Sequence, residues 1–539
     1  MTVVPWPQVY DPLHSALWST LMAALPIVVL LGTIAVLRLR AHLAALLGLA
    51  TALVVAVGGL GMPAPMAVKA ALLGAAYGLL PIGWIILNVI FLYQLTMNRG
   101  LFDVLRKSLF RITSDRRLQL LLVAFCFGSF FECAAGFGAP VAITAALLLG
   151  LGFTPIQASG LSLIANTAPV AFGALGTPLV ALAGVTGLPL LALSSTVGRQ
   201  LAFFAVLIPF WLMIAFVGVK RTLPVWPALL VAGIAFAVPQ WLIATLHGPW
   251  LVDIGASVVS MAAVTMLLRV WRPADTVHEP VMGADRREVM RAWMPWLILS
   301  VVVFLWGLPQ VKSVLDSVSK PTLIIAGLDH LVLRMPPVVP TATAESAVYT
   351  LNWLSATGTG IFLAALIGAA VMAYRPREVL RVYRDAFNAV KLSLLTIAAM
   401  LALGYLTRYS GLDAILGLAF ARTGVCYPLF GTLLGWLGSA LTGSDTSSNV
   451  LFGSLQRITA QGLGLSPILM ASANSSGGVM GKMVDMQSIV VASTTTRWYG
   501  HEWEILRFVF FHSLVLAALV GGFVSLEAYV APFTALVAH

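Results

Sequence analysis

An all-α polytopic membrane protein is the fold class this sequence predicts, on three observations. Of its 539 residues, 60% are hydrophobic and only 9% are charged, against about half apolar and a quarter charged in soluble domains. Apolar runs recur from Ala16 to Pro532, each of the roughly 20 residues that a hydrocarbon core of about 30 Å requires. Two stretches interrupt that pattern with Gly, Ser and one acid each, and fit no plain span.

Helices are predicted over 16–37, 42–60, 68–97, 156–185, 199–218, 225–245, 249–270, 291–311, 356–374, 389–408, 465–490 and 507–532, about twelve spans by hydropathy and length. The first run is too long for a signal h-region, lacks a small-residue cleavage site and ends in Arg38 and Arg40, so it reads as a spanning helix. Basic residues fall in short loops at Arg38/Arg40, Arg99 to Arg117, Lys220/Arg221, Arg269 to Arg291 and Arg375 to Arg384. If these face the cytoplasm, as the positive-inside rule expects, both termini lie outside. The segment 312–352 then lies outside too, despite Lys312, Lys320 and Arg334. The net charge of +11 is spread over these loops, not gathered on one face, so a nucleic-acid partner is not indicated. Cys126, Cys133 and Cys426 are widely spaced and signal packing, with neither a disulfide framework nor a metal cluster.

The interrupting stretches carry the functional reading. The first is FGSFFECAAGFGAPVAITAALLLGLGFTPIQASGLSLIANTAPVAFGALGTP, Phe127 to Pro178; the second is WLGSALTGSDTSSNVLFGSLQRITAQGLGLSPILMASANSSGGVMGKMVDMQS, Trp436 to Ser488. Each has an apolar half, a break with one acid, a second apolar half, a Thr-Pro or Ser-Pro turn, and a helix broken at an Asn. Glu132 precedes Pro155 by 23 residues and Asp445 precedes Pro467 by 22. The chain therefore reads as one transmembrane domain with an internal repeat. The first copy covers about 68–218, with a re-entrant hairpin at 118–152 and a broken helix at 156–185. The second covers about 389–532, with a hairpin at 427–461 and a broken helix at 465–490. The helix before the first hairpin runs inward and 389–408 runs outward, so the repeats are inverted, one hairpin opening to the cytoplasm and the other outward. Non-helical backbone at membrane depth is tolerated only where it is buried in protein or lines a wet cavity, so paired breaks point to a transporter's binding site.

A half-helix N-terminus presents free N–H groups and the positive end of the helix dipole, which suits an anion. Gly136 and Gly138, with Gly443, Gly477 and Gly478, let backbone approach a ligand, and Asn166, Thr167, Ser444, Thr446, Ser447, Ser448, Asn449, Asn474 and Ser475 offer hydroxyl or amide partners. The competing reading of the same small residues is close helix packing. Glu132 and Asp445 are acids in apolar surroundings; a buried carboxyl exchanges protons near neutral pH, so both are candidates for proton coupling. Asp445, in Gly-Ser-Asp-Thr, equally reads as a helix cap. Lys482 is a candidate partner for a substrate carboxylate unless Asp485 pairs with it, and Arg199, Lys391 and Arg408 are possible counter-charges, the last two near helix ends where snorkelling competes. His512 reads as a packed hydrogen-bonder.

The blocks FFECAAGFGAPVAITAALL, NTAPVAFGALGTP, RMPPVV, YSGL, GWLGSALTGSDTSSNVLF and NSSGGVMGKM resemble the bacterial L-lactate permease family, in order and over essentially the whole chain from Tyr10 to the last span. The resemblance implies proton symport of L-lactate and related 2-hydroxymonocarboxylates, D-lactate and glycolate among them, across the bacterial inner membrane; no cofactor is expected, and the sequence leaves monomer or homodimer open. It carries the family's hairpin acid to Glu132 and its GSDTSSN block to Ser444 through Asn449. Cys133 stands where the family pattern has Gly, and Asp485-Met486 where it has Ser-Pro.

A primary pump is excluded by the lack of a GxxxxGK[ST] motif and of loops long enough for a nucleotide domain. Intramembrane metalloprotease chemistry lacks its HExxH motif. An anion channel, or a transporter of a different small carboxylate, is the alternative.

Overall fold

The computed structural model describes residues 5–37, 39–101, 104, 112–134, 139–271, 273 and 286–538. Helix dominates, as lipid demands, because a helix satisfies every backbone N–H and C=O within its own segment. Among the described residues, ten helical stretches are long and apolar enough to cross a membrane, eleven with Pro155–Ala165 and Val170–Thr186, bent by 63°, counted as one span. One stretch, Leu190–Leu246, has 57 residues, too many for one crossing of about 30 Å. It reverses near Gly218, whose φ of 75° breaks the helix, so that Leu190–Thr222 packs along Trp226–Leu246. The chain is a multi-pass membrane protein.

Several boundaries differ from those hydropathy gives. The helix expected at 199–218 starts at Leu190, and the one expected at 389–408 starts at Pro376. Hydroxyls misled the first: Ser194 donates to the Ala244 carbonyl at 2.9 Å and so sits comfortably in a helix interface. Charge misled the second. Pro376–Ser410 has 35 residues, about 52 Å at 1.5 Å per residue, so its charged first turns run on beyond the hydrocarbon. Leu412–Phe420 is a short helix in a stretch, 409–426, for which hydropathy predicts none.

The segment 312–352, expected as an external loop, is a folded cap. Helix Pro309–Val318 leads to strand Thr322–Ile324, which pairs antiparallel with Val348–Thr350. Strand Val332–Arg334 pairs antiparallel with Thr343–Ala344 and parallel with Trp6–Pro7, so the N-terminal residues belong to the cap.

Each interrupted region is a hairpin followed by a broken helix. The first hairpin has arms Arg116–Ala134, with a π-helical stretch Leu121–Phe127, and Ala139–Gly150. The second has arms Tyr427–Thr442 and Asp445–Gly462. Both hairpins turn into the next helix with the same device, a hydroxyl N-cap before proline: Thr154 accepts from Gln157 N at 3.4 Å and Ser466 accepts from Leu469 N at 3.3 Å. The regions interlock. The first broken helix packs on the second hairpin, and Met486–Thr495 of the second packs on the first hairpin.

Glycine sets the closest approaches. A Cβ at Gly435, Gly477 or Gly481 would lie 2.1 Å from a carbonyl oxygen across the contact between Tyr427–Thr442 and Pro467–Gly481, so these helices meet backbone to backbone.

Candidate functional site

The interrupted regions enclose a cavity of about 130 Å³, roughly ten times the 10–15 Å³ that one water needs. Glu132, Gly173, Ala174, Thr177 and Pro178 line it from the first region, Thr442 to Ser447, Lys482 and Gln487 from the second, and Ser393, Thr396 and Ile397 from the long helix Pro376–Ser410.

In the first region the break is built into the backbone. Helix Pro155–Ala165 ends at Asn166, a 3-10 turn covers Val170–Phe172, and Ala174, Leu175 and Gly176 follow at φ 43°, 55° and 76°. Two consecutive non-glycine residues in the left-handed region cost about 1–2 kcal/mol each, and such strain collects at functional sites. Gly173 completes the device: a Cβ there would lie 2.8 Å from Glu132 Oε1, so only glycine lets the carboxyl lie against the break. Glu132 is buried, Lys482 and Asn166 are the favourable polar groups acting on it, and yet among the described residues its Oε2 and Asn166 Nδ2 have no hydrogen-bond partner.

In the second region the acid itself is well bonded. Gly443 ends one arm at φ 72°, and Ser444 caps the next by accepting from Ser447 N at 3.2 Å. Asp445 accepts from Ser475 Oγ at 2.7 Å, Asn449 Nδ2 at 3.2 Å and Ser439 Oγ at 3.4 Å. Asn449 Nδ2 also donates to the Pro178 carbonyl at 3.2 Å, and its Oδ1 accepts from Asn474 Nδ2 at 3.0 Å. Ser448 donates to the Gly435 carbonyl at 2.8 Å, and Gln456 joins Asn474 to Tyr427. Lys482 Nζ donates to the Gly443 carbonyl at 2.6 Å and pairs with Asp485 at 3.0 Å.

The sequence-predicted residues therefore separate. Glu132, Asp445, Ser444, Thr446, Ser447 and Lys482 line the cavity. Asn166, Thr167, Ser448, Asn449, Asn474 and Ser475 are buried outside its lining, where Thr167 bonds the Ile164 carbonyl at 2.8 Å and the last four form the polar network behind Asp445. Gly136 and Gly138 lie outside the described residues. The counter-charges do not converge on the cavity. Arg199 bonds the Leu536 carbonyl, Lys391 is exposed, and Arg408 pairs with Glu345 of the cap. His512 accepts from Trp211 Nε1 at 3.1 Å.

Sequence reasoning missed Asp253. It is fully buried in the first turn of Val252–Val270, which packs on Gly128–Ala134; it interacts with Glu132, and among the described residues both its oxygens lack a partner. Among the described residues no group of three or more His, Cys, Asp or Glu is placed to hold a metal ion.

A family model described as L-lactate permease matches residues 19–531. The L-lactate permease of Salmonella typhi is 42% identical, over 97% of this chain and 98% of its own length. The glycolate permease GlcA of Escherichia coli (strain K12) is 43% identical, over 98% and 99%, and the L-lactate permease of Bacillus subtilis (strain 168) 42% identical, over 96% and 97%. Among solved structures, the YdaH transporter of Alcanivorax borkumensis aligns with 85% of this chain and 87% of its own at 14% identity and a TM-score of 0.45, too loose a likeness to argue from.

Proposed function

Because the chain belongs to the L-lactate permease family, we propose that it carries lactate, glycolate and similar 2-hydroxymonocarboxylates together with a proton across a bacterial inner membrane. The observation that carries this reading is the cavity with one acid from each interrupted region in its wall.

The charges make the case for coupling. Glu132 and Asp445 line the cavity with the ammonium of Lys482, which Asp485 beside it already engages, and Asp253 acts on Glu132 from outside the lining. With every acid ionised the wall is net negative and repels an anion, strongly so in a medium of low dielectric. A proton on Glu132 or Asp445 removes one repulsive charge, so proton and anion each favour the other's binding, and by linkage the coupling is reciprocal. Glu132 is the stronger candidate, because Asp445 accepts three hydrogen bonds that stabilise its charge, while among the described residues Glu132 Oε2 accepts none.

The N-terminus of Asp445–Gly462 opens on the cavity, with Ser444, Thr446 and Ser447 in its wall, and offers dipole and hydroxyls to the substrate carboxylate. The two interrupted regions are the cores of inverted repeats, 68–218 and 389–532. The cap unites the N-terminal residues with the segment after Pro309, which agrees with both on the outer face and the charged start of Pro376–Ser410 in the cytoplasm.

Uptake of labelled lactate into proteoliposomes, with an imposed pH gradient and competing short carboxylates, tests the proposal. Accumulation above equilibrium that collapses with the gradient is expected. Uptake that only equilibrates, whatever the gradient, identifies an anion channel and refutes symport.

A further inference from the structure

At the capped end of the molecule three guanidiniums gather. Arg334 and Arg408 both pair with Glu345, Arg408 Nη2 at 3.0 Å, while Arg408 Nη1 donates to the Val185 carbonyl at 3.4 Å and Arg457 Nη1 to the Thr186 carbonyl at 2.6 Å. Burial opposes the charge of Glu345, but Arg408 and Arg334 hold its carboxyl below the usual glutamate range, so it is ionised. Asp413 is the other acid acting on Arg334 and Arg457, and its oxygens are taken by the Ser454 hydroxyl and the Ala414 N–H. Three positive groups thus face two negative ones.

The donors are left over as well. Among the described residues, Arg334 Nη2, Arg408 Nε, and Arg457 Nε and Nη2 are buried without a partner. Arg334 is only 7% exposed, and an unpaired buried donor of a charged group costs free energy unless something accepts from it. Between the guanidiniums the chain turns at Gly187, φ 69°. The position its absent Cβ would fill lies 3.6 Å from Arg408 Nη1 and 3.9 Å from Arg457 Nη1, a cradle flanked by two cations.

We propose that this cluster is a second anion site, separate from the central cavity, that holds a small monovalent anion, chloride or a short carboxylate, among Arg334, Arg408 and Arg457. Its walls are the far ends of the elements that line the cavity. Thr186 is eight residues beyond Pro178, and Arg457 is twelve beyond Asp445, about 12 and 18 Å along their helices. An anion here fastens the first broken helix and the second hairpin to the cap, and its release frees them.

The test is thermal unfolding of the full chain in lipid nanodiscs, titrated with sodium chloride or with sodium lactate while a bulky sulfonate holds ionic strength constant. A saturable rise in midpoint with chloride is expected for the wild type, and its loss in Arg457→Gln. Glu345→Gln removes the competing carboxylate and is expected to lower the half-saturating concentration by about tenfold, the usual scale for one charge-assisted contact. This variant decides the matter if Arg457→Gln does not fold. A lactate effect that survives in Arg457→Gln belongs to the central cavity, and one lost with it assigns carboxylates to the new site. No saturable chloride response in the wild type, or an unchanged or weakened one in Glu345→Gln, overturns the proposal and leaves ordered water as the acceptor.

Discussion

Asp445 sits in the second interrupted region with three donors on its carboxylate, beside amides and hydroxyls that bond one another. Glu132 sits in the first with one carboxylate oxygen bare, against two residues held left-handed without being glycine. The regions share an order of elements and face one cavity, yet in one the acid is held by three donors in a glycine-packed setting, while in the other it lies beside a left-handed break with fewer hydrogen bonds. Under the proposed function the difference divides the labour: the second region would hold its shape as a seat for the anion, and the first would contain the group whose charge and backbone have most to gain from change.

Glu132→Gln gives the sharpest break in this contrast. Accumulation of lactate against its gradient is expected to fall to equilibrium while exchange of labelled for unlabelled lactate continues; full accumulation in that variant removes Glu132 from the coupling. Next is the packing of the second region. Gly477→Ala places a methyl 2.1 Å from the Thr432 carbonyl oxygen, whereas Gly522→Ala meets nothing within 4 Å. The first is expected to lose about 1–3 kcal/mol or more to overpacking and the second almost nothing, as read from thermal unfolding midpoints.

Smaller effects separate wall from support. Asn449→Ala removes hydrogen bonds to Asp445, Pro178 and Asn474, each worth about 0.6 and at most about 1.7 kcal/mol in membrane proteins, so stability falls. Ser447→Ala removes a hydroxyl from the cavity wall and is expected to raise KM by about tenfold or less with folding intact. Equal effects of the two on KM would erase the distinction. The smallest is a gain. Ala174→Gly relieves a left-handed φ of 43° and is expected to stabilise by about 0.5–1 kcal/mol after the added unfolded-state entropy is counted; a loss of stability would mean that the resting backbone there is ordinary helix.

Much of this architecture was legible because lipid makes sequence blunt. Glu132 and Asp445 stand out as acids in apolar runs, and Thr154-Pro155 and Ser466-Pro467 announce helix starts. What stayed hidden depends on contacts between distant segments. Asp253 follows Gly248-Pro249-Trp250 and looks like an interfacial first-turn acid until Gly128–Ala134 packs over it. The cap joins Trp6 to Val332 through two-residue pairings, far too short for any periodicity. Asn449 was read as a ligand contact because its amide suits one; that the amide is consumed by a carbonyl 271 residues away is knowledge only the fold contains.

The helix Pro376–Ser410 has one more implication. A Cβ at Gly74 would lie 2.3 Å from the Leu401 carbonyl oxygen, and one at Gly78 would lie 2.8 Å from Ala398 Cα, so this helix is clamped main chain to main chain against Ala64–Tyr77. Those two form a fixed mast beside the cavity, to which Ser393 and Thr396 are attached. Sliding either helix along the other would drive main chain into main chain, so the part of the cavity wall they carry moves or rests as one piece.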